Sequence, residues 1–287
     1  MNPLSFIAQM FRIAVPYLFA ASGGVVAERA GIISLTLEGF MLTGAFSATL
    51  GAYYSGSAWV GLLCGMLGGL VFGMIHAVAS IRYRADQVVI GIAINLLAVG
   101  MTRFFLKLAF GSSSNSPRIP GLGAAAGGFG SPLLWLGLLV APILAFLIYR
   151  TPFGLRVRAV GEHPDAAASV GVPVERVRYI AVALSGVLAA LGGVWLALDQ
   201  HQFTDNMTAG RGFIAVAAVI FGRWDPVRAA LACLLFAAAE TLQIQLQGNQ
   251  LIPSQFVEMI PYVLTIIALA GVVGRAVPPA ALGKHAQ

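Results

Sequence analysis

Two carboxylates stand inside apolar runs long enough to enter a membrane: Glu38 in GIISLTLEGFMLTGAF, and Glu240 near the end of VRAALACLLFAAAETLQIQL. A carboxylate a turn or more into such a segment is costly unless it faces protein or water, so it is a candidate for ion handling, gating or substrate contact. For Glu38 two readings stand at this stage. It lines a translocation path, or it caps a neighbouring helix or pairs with a base such as Arg29. Asn95, midway along another apolar run, offers an amide either to a path or to another helix. Asn206 and Arg211 precede a short apolar piece, Phe213 to Phe221, bounded by Gly210, Gly212 and Gly222 and too short to cross a bilayer alone. Half-helices of this kind place their termini at transport sites, which adds Asn206 and Arg211 to the path candidates.

Other chemistry lacks its residues. The only lysines are Lys107 and Lys284, and neither belongs to a G-x-x-x-x-G-K-[ST] phosphate loop, so the chain does not hydrolyse ATP by itself. H-E-x-x-H, G-x-S-x-G and paired intramembrane aspartates are also missing, and a catalytic function is not expected. Asp199, His201 and Asp205 sit at alternate positions that do not converge on a helix, and His76 has no second ligand at helical spacing, so no metal site is expected. Cys64 and Cys233 lie in apolar runs as small hydrophobes.

The elements that must hold these residues are membrane helices. Hydrophobic residues make up 59% of the 287 and charged ones 10%, with a mean hydropathy of +0.87; a soluble domain has no use for such a composition. One all-α polytopic domain over 1–287, with about 8–10 transmembrane or re-entrant helices, is expected. The net charge of +6 reports topology, since Arg82, Arg84, Arg150, Arg156, Arg158, Arg176, Arg178, Arg223, Arg228, Arg275 and Lys284 all fall on one side of alternating spans. Nine segments are read. The first, from Leu4, is retained and carries Pro16, which implies a kink or break. The third carries Gly61, Gly65, Gly69 and Gly73 at four-residue intervals, a face for close helix packing. Asp86 is placed as an N-cap. Arg103 and Lys107 snorkel to the outer interface. Residues 111–131 read as an irregular external loop, and the last span covers Phe256 to Val273.

The one long polar stretch between spans is TPFGLRVRAVGEHPDAAASVGVPVERVRY, Thr151 to Tyr179. It predicts a short helix from Pro164 to Val170 between Gly161 and Gly171, with proline in the first turn and glycine at the end. It is either a solvated loop obeying the positive-inside rule or a docking surface for a soluble partner.

Four long segments carry a family resemblance in matching order: Glu28 to Phe46, Ala85 to Phe104, Thr151 to Val172 and Asn206 to Pro226. The chain resembles permease subunits of ATP-binding-cassette importers of the ribose, branched-chain amino acid and nucleoside group, and is most similar to the nucleoside, simple-sugar-type branch. The resemblance implies a multi-pass permease of the bacterial inner (cytoplasmic) membrane, with nucleosides as substrates and purine nucleosides favoured. A simple sugar such as ribose, or branched-chain amino acids, are the alternatives within the class; an ion-coupled secondary transporter using Glu38 or Glu240 is the alternative outside it. It further implies an ATPase-docking loop over about 150–178 that includes Glu162 and Asp165, in which Gly161, Ala166, Ala167 and Gly171 shape a short coupling helix preceded by Arg156 and Arg158. The implied partners are a second, longer permease, an ATPase subunit with two nucleotide-binding domains that holds the ATP and Mg, and an external binding protein. No cofactor is expected on this chain, and no nucleic acid as partner.

Overall fold

The computed structural model describes residues 3–122, 130–247 and 277–284. Within them the chain forms ten α-helices: α1 Pro3–Arg29, α2 Leu37–Ser55, α3 Ala58–Ala77, α4 Gln87–Phe110, α5 Pro132–Arg150, α6 Pro152–Glu162, α7 Pro164–Ser169, α8 Val174–Gln200, α9 Arg211–Phe221 and α10 Pro226–Leu246. Six of them, α1, α3, α4, α5, α8 and α10, are long and apolar enough to cross a membrane. The expected last span, Phe256 to Val273, and Arg275 lie outside the described residues.

The core is built on α1, α2 and α8, which are mostly buried, while α3, α4, α5 and α10 turn faces of leucine and phenylalanine outward. Exposed Leu96, Phe104, Leu108 and Phe146 would be untenable on a soluble protein and suit a hydrocarbon surround. Small residues set the spacing of the core. Gly61 and Gly65 of α3 lie on the backbones of Ala48 and Gly44 in α2, and Gly69 and Gly73 lie on Gly186 and Val182 of α8. On α8, Gly193 meets the carbonyl of Met41, where a methyl would overlap the oxygen. One stripe on α3 thereby packs against two helices.

Sequence expectations are corrected or refined at several points. Pro16 does not break α1, which is helical from Pro3 to Arg29; its missing N–H is tolerated where neighbouring helices surround the segment. The external loop has no helix or strand where it is described, as expected, yet it is tied to the segment after α8: Ser116 N–H donates to the Phe203 carbonyl, Asp205 N–H to the Ser114 carbonyl and Ile119 N–H to the His201 carbonyl. Arg103 is not simply snorkelling, since its guanidinium binds Asp205, with Nε at 3.0 Å. The polar stretch is mostly helix: α6 was not foreseen, and α8 begins at Val174, ahead of the apolar residues that suggested Ile180.

Candidate functional site

The break between α1 and α2 starts α2 inside the bundle, where its free N–H groups have no water to bond. Thr36, at the N-cap, makes no side-chain cap. Asn95 of α4 supplies it: its Oδ1 accepts from Gly39 N–H at 2.8 Å and its Nδ2 donates to the Leu35 carbonyl at 2.8 Å. Two turns earlier on α4, Gln87 Oε1 accepts from Ile33 N–H at 2.8 Å. The Asp86 cap then fixes the start of α4 itself, accepting from Val88 and Val89.

Glu38 repeats this arrangement one helix further on. Its Oε1 accepts from Thr208 Oγ1 at 2.6 Å and Gly210 N–H at 2.9 Å, and its Oε2 from Gly212 N–H at 2.6 Å. These donors form the N-terminus of half-helix α9, where a carboxylate also meets the positive end of the helix dipole. Gly212 lies directly on the Glu38 backbone, with no space for a methyl. Glu38 and Asn95 are buried in these roles. The geometry gives both of them helix ends to hold, and Arg29 is bonded to the Trp224 carbonyl and the Tyr149 hydroxyl, away from Glu38.

Arg211, the first residue of α9, reaches the other intramembrane carboxylate. Its Nη2 lies 2.8 Å from Glu240 Oε1, and Tyr17 O–H donates to Glu240 Oε2. This pair is about a quarter and a fifth exposed. Arg211 also lines a cleft of about 260 Å³ with Arg12, Pro16, Trp195, Asp199 and Gln200. There Arg12 Nη2 contacts both Asp199 oxygens, at 3.0 and 2.9 Å. Asn206 stands apart, exposed, in a turn with φ 54°. Asp199, His201 and Asp205 have separate partners: Arg12, the Leu198 carbonyl and Arg103. Among the described residues no group of His, Cys, Asp or Glu is placed to hold a metal.

At the other end, α7 runs from Pro164 to Ser169 and closes with Gly171 at φ 82°. Val172 N–H bonds the Ala167 carbonyl and Gly171 N–H the Ala168 carbonyl, the paired closure that a left-handed glycine permits. Ala166, Asp165, Glu162 and Arg156 are exposed, and Val170 is 78% exposed. Ala167 and Gly161 point inward. Gly161 belongs to α6 and lies on the Arg29 carbonyl, so it serves packing and does not shape α7. Arg158 sits over the Tyr149 ring, 5.5 Å from its centroid. Arg178 is no part of a charged surface: it is buried and donates from Nε to the Ala30 carbonyl at the end of α1.

Sequence reasoning missed Glu28, Trp224, Tyr17 and the Arg12–Asp199 pair. Glu28 read only as the polar end of a span, yet it is buried, accepts from Ser34 N–H and Oγ, and binds the Trp224 indole N–H. No spacing rule links residues 28 and 224.

The comparisons agree with this architecture. Residues 6–269 match the family described as branched-chain amino acid transport system / permease component. The chain is 41% identical to the guanosine ABC transporter permease protein NupQ of Bacillus subtilis, over 94% of this chain and 92% of that one. It is 38% identical to the nucleoside ABC transporter permease protein NupC of Lactococcus lactis, over 97% and 95%. Each organism has a second permease protein of the same series, NupP and NupB, both 23% identical to this chain. Among solved structures, a metal-chelate type ABC transporter in an inward-facing conformation shares the fold, with a TM-score of 0.51 and 14% identity over 92% of this chain and 84% of that one. The chain, a multi-pass protein of the bacterial inner membrane, belongs to this family of ATP-binding-cassette permease components.

Proposed function

We propose that this chain is one permease half of an ATP-driven nucleoside importer, with purine nucleosides favoured. The observation that carries the reading is the α6–α7 element. It is a rigid helical pair outside the spans, with Ala166 and Val170 projecting, on a chain that has no nucleotide-binding loop of its own. A separate ATPase, holding ATP and Mg, docks there. A second permease completes the passage, as the paired permeases of the relatives suggest, and an external binding protein delivers substrate. Nucleotide binding then favours one of two permease conformations, which requires different contacts in each. Arg211, Arg12 and Asp199, which line the cleft, are the path-facing polar groups, with Glu240 as the partner of Arg211.

The test is ATP-dependent uptake of labelled guanosine or adenosine in proteoliposomes holding this chain with its second permease, ATPase and binding protein. Uptake that resists excess ribose and leucine, and persists when the proton gradient is collapsed with ATP kept high, is the expected result. Ribose or leucine carried in its place would overturn the substrate. Loss of uptake with the gradient would overturn ATP as the energy source.

A further inference from the structure

We propose that Glu28 is a positioning residue for transport, tying the cytoplasmic α6–α7 element to half-helix α9. The inference rests on α6–α7 being the ATPase-facing element. At the C-terminal end of α9 the chain turns through two consecutive non-glycine residues of positive φ, Arg223 at 53° and Trp224 at 57°. Such a turn persists only where its surroundings fix it. Two adjacent residues at the end of α1 do so. Glu28 binds the Trp224 indole N–H, and Arg29 Nε donates to the Trp224 carbonyl at 2.7 Å. Side chain and main chain of one tryptophan are held together, and Trp224 and Glu28 are both buried.

The same turn of α1 is what α6 touches. Gly161 lies on the Arg29 carbonyl, and Arg158 stacks on Tyr149, whose hydroxyl donates to Asp225 at 2.7 Å, the residue after Trp224. Glu28 also governs the opposite end of α9. Its second oxygen fixes Ser34 in the break before α2, and Glu38, four residues on, caps the α9 N-terminus. Both ends of an 11-residue helix are thus held by residues 28–38, and that helix begins at Arg211, partner of Glu240. A displacement of α6 against the end of α1 carries α9, and with it the charge pair at the cleft, as one body.

The experiment uses the complete transporter in proteoliposomes and reads the ratio of ATP hydrolysed to nucleoside imported for Glu28→Ala, Trp224→Phe and the double variant. Trp224→Phe removes the indole N–H while keeping an aromatic ring in the core, a milder change than removing a buried carboxylate, so it remains informative where Glu28→Ala does not fold. The expected result is normal assembly and ATP hydrolysis within twofold of wild type, with uptake reduced at least tenfold. The double variant should be no worse than either single one. Hydrolysis and uptake falling in parallel with the yield of complex would make the contact merely structural and overturn the proposal, as would a wild-type ratio. Ala166→Glu is the control for the underlying reading. If it releases the ATPase while the Glu28 and Trp224 variants keep the wild-type ratio, this inference fails alone; if the ATPase also stays bound and coupled to Ala166→Glu, the docking role of α6–α7 fails with it.

Discussion

Glu38→Gln separates a helix-capping carboxylate from a proton carrier. In the native arrangement two oxygens receive three donors: Thr208 Oγ1, Gly210 N–H and Gly212 N–H. An amide keeps one oxygen and turns an NH₂ toward the other set. One buried N–H then faces another donor, at a cost of about 1–3 kcal/mol. Loss of the negative charge at the α9 N-terminus removes roughly another 0.3–1 kcal/mol. The expected total is about 1–4 kcal/mol, which for a chain of this size lowers the melting temperature by roughly 3–15 °C. Glu38→Ala, which orphans all three donors, should cost more, near the ~4–5 kcal/mol that marks exceptional single substitutions. Thermal unfolding of the purified chain in detergent measures both, with nucleoside uptake assayed well below the lowered midpoint. Under the capping reading Glu38→Gln is less stable yet retains most of its uptake, because Thr208 and Gly210 can still be bonded. A variant with unchanged melting and abolished uptake would refute this reasoning and restore Glu38 as a carrier.

Three further outcomes follow from the packing. Ala167→Glu forces a charge into a site that is 4% exposed and should lower the yield of folded protein, whereas Ala166→Glu on the outer face should melt normally and lose ATPase co-purification; equal effects would mean that α7 is oriented otherwise. Arg211→Ala and Glu240→Ala should each destabilise more than the double variant, because each strands a partly buried charge; a double-mutant cycle in melting should give a coupling of about 1–2 kcal/mol, below the ~3–5 kcal/mol cost of breaking a fully buried pair. Gly193→Val should fail to fold, since a side chain there meets the Met41 carbonyl, while Gly100→Ala, with nothing within 4 Å of its added methyl, should be silent; expression with size-exclusion chromatography distinguishes them.

The sequence made the spans legible because hydrocarbon imposes length and composition on them. Asp86 and Gly171 were legible because caps and left-handed closures are local. The half-helix α9 was visible for the same reason: its glycines and its 11 residues are adjacent in the chain. What could not be read was which distant group meets each helix end. Asn95 could serve a path or a helix on any local argument, and only the approach of Gly39 to α4 assigns it. Glu28 and Trp224 are separated by 196 positions, so no periodicity connects them. The helix α6 was missed because its charges and glycines resemble a loop, although Thr151 accepts from Gly154 as its cap and Pro152 opens its first turn.

Helix ends engage long polar side chains buried in the described bundle, Glu28, Glu38, Gln87, Asn95 and Arg178, and that narrows where a passage can run. An α-helix that starts inside the membrane leaves N–H groups that hydrocarbon cannot satisfy. Here α2 and α9 both start in that way, and their needs are met in sequence, Asn95 serving α2 and a residue of α2, Glu38, serving α9. Side chains so engaged are not free to exchange partners with a passing solute without exposing a helix terminus. The polar groups at the cleft are of a different kind: Arg12 pairs with Asp199, and Arg211 with Glu240, through side-chain ends that hold no helix terminus. Their bonds can be traded for bonds to a hydroxyl or a base without unravelling a helix. An intramembrane carboxylate thus has its role set by what it holds: Glu38 holds the start of a helix, whereas Glu240 is bonded to the side chains of Tyr17 and Arg211.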